Sequence, residues 1–78
     1  MELELKRFIY DFNYLINRLN KAESIPEETI NKYSEAQYMK LVNELRKIIR
    51  QASEIEIKIE RMINRPLTDY EKLNGINI

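Results

Sequence analysis

From Tyr38 to Met62 the chain repeats its apolar residues at steps of 3, 4, 3, 4, 3, 4 and 3: Tyr38, Leu41, Leu45, Ile48, Ala52, Ile55, Ile59 and Met62. Spacing that alternates three and four keeps side chains on one stripe of an α-helix but scatters them over both faces of a strand. Val42, Ile49 and Ile63 widen the stripe by a third heptad position. A stripe this long and wide has to be covered by other helices, so the chain is committed to a helical bundle. The run Ile55-Glu56-Ile57-Lys58-Ile59 also alternates with the period of a strand. The unbroken heptads before it and the absence of turn residues favour the helix, at the cost of leaving Ile57 off the stripe. Pro66 stops the helix by Asn64-Arg65. Counted from about residue 35, the helix is roughly 45 Å long at ~1.5 Å per residue.

The first part of the chain repeats the logic. Leu5, Phe8, Ile9, Phe12, Leu15, Ile16, Leu19 and Ala22 recur at three- and four-residue steps with adjacent pairs at 8/9 and 15/16. They predict a helix over residues 2–22, about 30 Å long. The connection Glu23-Ser24-Ile25-Pro26 then signals a new start. Pro26 suits a first-turn position, Glu27 and Glu28 complement the helix dipole, and Ser24 stands three before Glu27 as in a capping box.

Ser34, three before Gln37, makes a second capping box, with Tyr33 and Tyr38 at the staple positions. The apolar phase changes there as well, which favours a break near Ser34 over one continuous helix. In the tail, Thr68-Asp69-Tyr70-Glu71 is a further capping box, and Asn74-Gly75-Ile76 offers a left-handed C-cap with a closing apolar contact. A helix that short is stable only if it docks.

The expected fold is therefore all-α: a helical hairpin of long helix 1, short middle helix and long helix 3 over residues 1–65. A tail over residues 66–78 carries a short helix if it docks. At 78 residues the chain makes one small domain that is marginal alone. Helix 3 also outruns helix 1, so a homodimer closing as a helical bundle is the expected assembly. Ile57 is a candidate contact in such an interface, or else a singly exposed isoleucine.

The residues the chain lacks narrow its chemistry. It has no Cys and no His, hence no thiolate nucleophile, no disulfide framework and no imidazole base or ligand. Glutamates avoid most of the apolar stripe, with Glu56 the main exception, so no metal site is expected. No phosphate loop or nucleophile elbow is present. The expectation is a non-catalytic protein without cofactor, located in the cytoplasm, with no membrane-spanning segment.

Two surfaces stand out. Arg7, Tyr10, Tyr14, Asn17 and Lys21 step by 3, 4, 3 and 4 on the side of helix 1 away from its core stripe. Tyrosines flanked by cations suit a protein-binding face, and they can also stack on bases. The alternative is a plain solvated face. Lys40, Arg46, Lys47 and Arg50 form a basic stretch opposed within it only by Glu44. A phosphate-binding strip would look like this. A solvated face with i,i+4 pairs Lys40/Glu44 and Arg50/Glu54 looks the same. The 13 basic and 13 acidic residues balance, unlike the basic excess of most nucleic-acid modules.

Over residues 5–36 the chain resembles the small subunit of exodeoxyribonuclease VII. The shared features are the spacing of Leu5, Phe8, Ile9, Phe12, Leu15, Ile16 and Leu19, and the Glu-Glu-x-Leu-x-x-aromatic pattern matched by Glu27, Glu28, Ile30 and Tyr33. The family's Leu-Glu-x-Gly turn is absent, since this chain reads Leu19-Asn20-Lys21-Ala22. The register after residue 36 shifts by about two residues, and the long helix is more basic. The resemblance implies a helical hairpin serving as non-catalytic partner to a larger catalytic subunit. Together the signals predict a small interaction module, a regulator, inhibitor or accessory subunit of the kind encoded by phages or mobile elements. It would bind a larger protein through Arg7, Tyr10, Tyr14, Lys21 and Ile57. The second expectation is a nucleic-acid accessory protein using Lys40, Arg46, Lys47 and Arg50.

Overall fold

The heptad stripe forms one unbroken helix in a computed structural model that describes residues 3–77. Four helices follow in order: α1 (Leu3–Glu23), α2 (Glu27–Asn31), α3 (Glu35–Ile63) and α4 (Asp69–Asn74). Among the described residues there is no strand. The expected start of helix 1 at residue 2 lies outside the described residues.

α1 and α3 pack as an antiparallel pair. Arg18 of α1 pairs with Glu44, while Phe8 near the other end of α1 lies under Lys58, whose Nζ is 5.4 Å from the ring centroid. The core runs along this seam. Ile9, Phe12, Leu15 and Ile16 meet Ile48, Ala52 and Ile59, with Phe12 and Ile9 at 2% exposure and Ile59 at 0%. Each such side chain contributes about 1.5–3 kcal/mol on leaving water.

The break near Ser34 is present, and its cause is local. Ser34 is extended (φ −68°, ψ 163°), its hydroxyl accepts from the Gln37 N–H, and the Gln37 side chain accepts the Ser34 N–H in return. The capping box expected at Ser24 does not form. Pro26 takes the N-cap position of α2 without a side-chain cap. Ser24 serves the end of α1 instead, its hydroxyl donating to the Lys21 carbonyl at 2.7 Å. The N–H of Ser24 already bonds the Asn20 and Lys21 carbonyls, so its backbone is committed backward along the chain.

α3 ends one step before the expected proline stop. Asn64 takes the left-handed conformation (φ 58°, ψ 37°), and the N–H groups of Asn64 and Arg65 both reach the Glu60 carbonyl. This is a Schellman-type end, in which Asn tolerates the positive φ. Pro66 then carries the chain away.

The tail docks. Leu67 and Ile76 enter the core at 4% and 9% exposure. Thr68 and Glu71 close the expected capping box of α4. Gly75 has a positive φ of 92°, but its ψ of 173° is extended, so it is not the left-handed cap that the sequence suggests. It turns the chain so that Ile76 points inward. Asn13 of α1 holds that turn: its Oδ1 accepts the Ile76 N–H at 2.7 Å and its Nδ2 donates to the Ile76 carbonyl at 2.9 Å. Asn20 adds a bond to the Leu73 carbonyl at 3.1 Å. The hairpin and tail form a rod of 45 × 19 × 18 Å.

Candidate interaction surfaces

α1 carries three kinds of face because two different elements cover it. Phe8, Phe12, Leu15 and Leu19 lie toward α3. Asn13 and Asn20 lie toward the tail. The remaining face is the line Arg7, Tyr10, Tyr14, Asn17 and Lys21, and all five residues are exposed. Tyr10 is 71% exposed and Tyr14 is 57% exposed. The structure thus brings this sequence-derived set together on one surface.

Shallow hollows flank the tyrosines. Tyr14 lines an open groove of about 310 Å³ between α1 and α3, with Asp11, Leu15, Gln51, Glu54 and Ile55. Arg7 and Tyr10 share another with Lys6 and Asp11. Asp11 borders both. Among the described residues no buried side chain is polar or charged. Among the same described residues no group of three or more acidic residues gathers as a metal ion would need, and no helix is long and apolar enough to cross a membrane.

Lys40, Arg46, Lys47 and Arg50 are all exposed on α3. The expected pair Lys40/Glu44 is replaced by a contact across the hairpin, in which Glu44 takes the Arg18 guanidinium. That contact raises the Arg18 pKa, chiefly through the hydrogen bond to Glu44. The expected Arg50/Glu54 pair is also absent among the described residues, where the ion pairs are Arg18–Glu44, Arg65–Glu71 and Lys72–Glu56. Among the described residues the four basic side chains therefore carry no ion-pair partner. Ile57 is 50% exposed and stands apart from the core.

The stripe of α3 is not covered along its whole length, in keeping with its excess over helix 1, but which part stays open the sequence did not reveal. The tail covers one edge of its second half. Lys72 reaches Glu56 at 3.6 Å, and the Leu67 N–H donates to the Glu60 carboxylate at 2.8 Å. This explains Glu56, the one charge on the stripe. It sits where the tail supplies a lysine. Two heptads separate Ile49 from Ile63, so they occupy equivalent positions. Ile63 packs against the core, whereas Ile49 is 53% exposed. Tyr38, placed in the core stripe by the sequence, is 48% exposed, and its neighbour Met39 is 45% exposed.

Comparison with protein-family models, curated proteins and solved structures returns no match to this chain. What can be said of its surfaces rests on their own geometry.

Proposed function

We propose that this protein is a non-catalytic helical interaction module, a regulator, inhibitor or accessory subunit in the cytoplasm. It binds a larger protein through the outer face of α1. The observation that carries this reading is the exposure of Tyr10 and Tyr14 on a face that neither α3 nor the tail covers. A tyrosine ring gives a large contact area at low conformational cost, and arginine beside it is the other common anchor of interfaces. Arg7 and Lys21 at the two ends supply charge for orientation and encounter. The aliphatic and aromatic core supports the same reading, since a helical enzyme would carry charged groups toward an enclosed site. The resemblance to the exodeoxyribonuclease VII small subunit over residues 5–36 points the same way, toward an accessory subunit.

The test is affinity capture from the native host with wild type and with the double variant Tyr10→Ser/Tyr14→Ser. A stoichiometric partner retained by the wild type and lost from the variant, at equal helicity, is the expected outcome. Equal recovery by both proteins refutes the assignment of this face.

The exposure of Lys40, Arg46, Lys47 and Arg50, with no ion pair to any of them among the described residues, favours one further reading, an accessory protein that touches nucleic-acid phosphates. In that case Lys47→Ala and Arg50→Ala each weaken binding and lower the salt slope by about one. Binding that neither substitution changes contradicts it.

A further inference from the structure

One edge of α3 begins at the exposed Glu35 and runs through Tyr38, Val42, Leu45 and Ile49, at steps of 3, 4, 3 and 4, with Val42 and Leu45 partly buried between the exposed Tyr38 and Ile49. Among the described residues Ile49 and Tyr38 stay about half exposed, and Met39, also about half exposed, flanks them. α2 does not close this edge. Its C-terminal neighbour Tyr33 lies beside Gln37, Lys40, Leu41 and Glu44, on the other side of the stripe. Beyond Ile49 the tail reaches the same edge at Glu56, through Lys72, and at Glu60, through the Leu67 N–H. The open half is thus a continuation of the edge that the tail meets at Glu56 and Glu60.

We propose that a second copy of this chain covers this half, with the two α3 helices antiparallel about a two-fold axis. Tyr38 then lies level with the partner's Ile49, and Val42 level with the partner's Leu45, each pair occurring twice. Charge selects this direction. The edge is acidic at its start, Glu35, and basic further on, at Arg46 and Arg50, and none of these three has an intrachain ion pair among the described residues. Parallel pairing sets Glu35 against its own copy and Arg46 and Arg50 against theirs. Antiparallel pairing brings Glu35 to the partner's Arg50 and lays the partner's Arg46 over Met39. The tyrosine face of α1 stays free in this dimer, so the pairing stands independently of the α1 assignment.

Sedimentation equilibrium of the full chain over a wide concentration range tests the proposal. The mass is expected to rise from 9.5 kDa toward twice that value. Ile49→Lys holds the mass at the monomer value, while helicity by circular dichroism is unchanged because the side chain is already half exposed. Ile57→Lys, off this edge, leaves association unchanged. At low salt, Glu35→Arg and Arg50→Glu each shift the midpoint of association at least threefold to higher concentration. The combined Glu35→Arg/Arg50→Glu variant returns it to within twofold of wild type. A wild type that stays monomeric at millimolar concentration overturns the proposal. So does an Ile49→Lys variant that still dimerises, or a charge-reversed pair that fails to recover.

Discussion

Asn13 and Ile76, 63 residues apart, bind each other twice: the Asn13 amide accepts the Ile76 N–H and donates to the Ile76 carbonyl. A single carboxamide thereby satisfies both polar groups of one backbone residue whose side chain is buried at 9% exposure. No other residue type of this size offers a donor and an acceptor in that geometry. Asp would present two acceptors to a carbonyl, and Leu would leave both backbone groups without partners.

Asn13→Leu is therefore expected to release the tail while leaving the hairpin folded. A partly buried backbone group left without its partner costs about 1–3 kcal/mol. Urea denaturation should report a loss within that range. Hydrogen exchange should show the Ile76 amide deprotected while amides in the middle of α3 keep most of their protection. Loss of the whole exchange pattern would show that the tail and hairpin unfold as one unit.

Gly75 is the only glycine in the chain, and any substitution at its position is strained. Its φ of 92° is a conformation that L side chains rarely adopt, and an added Cβ would stand 2.8 Å from Asn13 Oδ1. Gly75→Ala should destabilise by about 1–3 kcal/mol for the backbone alone, with the clash in addition. On an Asn13→Ala background the clash is gone and only the backbone cost persists. A double-mutant cycle should accordingly give a coupling of about 0.5 kcal/mol or more. Strict additivity would refute the contact.

Glu71 binds the Arg65 guanidinium through both oxygens, at 2.9 and 3.1 Å, and also accepts the Thr68 N–H at 2.9 Å. Arg65 first, and then the Thr68 backbone, hold its pKa down from 4.5 to about 2. The folded protein thus prefers the ionised form, so this contribution to stability is complete above the unfolded value of 4.5. It is lost as pH falls from 4.5 through about 2. Glu71→Gln keeps an acceptor for Thr68 but removes the charge. The difference in stability between wild type and variant should shrink across that window, measured by denaturation at stepped pH. A difference that stays constant from pH 6 to pH 2 contradicts the ion pair.

Ser34 holds the start of α3 through a reciprocal pair of bonds with Gln37. Ser34→Ala removes the cap acceptor and should cost about 1 kcal/mol, within the range for N-cap substitutions. Ser24→Ala should cost less, since that hydroxyl bonds only to the exposed Lys21 carbonyl. Thermal melts of the two variants should rank in that order.

Features governed by neighbours within four residues were legible in the sequence. The two long helices, the break at Ser34, the capping box at Thr68 and the outward line of Arg7, Tyr10, Tyr14 and Lys21 all follow from helical periodicity and short-range hydrogen bonding. Ser24 was misleading because two helix ends competed for the same hydroxyl, and only the chain's actual path settles which one it serves.

The sequence alone determined that this chain is helical, how its helices are divided and which stripe each turns inward, because a helix's own hydrogen bonds and its 3.6-residue turn set those properties. Tertiary structure decided everything that depends on which element lies beside which. Glu44 meets Arg18 across the hairpin instead of Lys40 along its own helix. Asn13 finds Ile76, and Ile63 packs against the core that Leu67 joins, whereas Ile49 stays half exposed. Periodicity gives the width of an apolar stripe but carries no information about how far along it a neighbour extends. That length is fixed by where the tail turns at Gly75 and is clamped by Asn13.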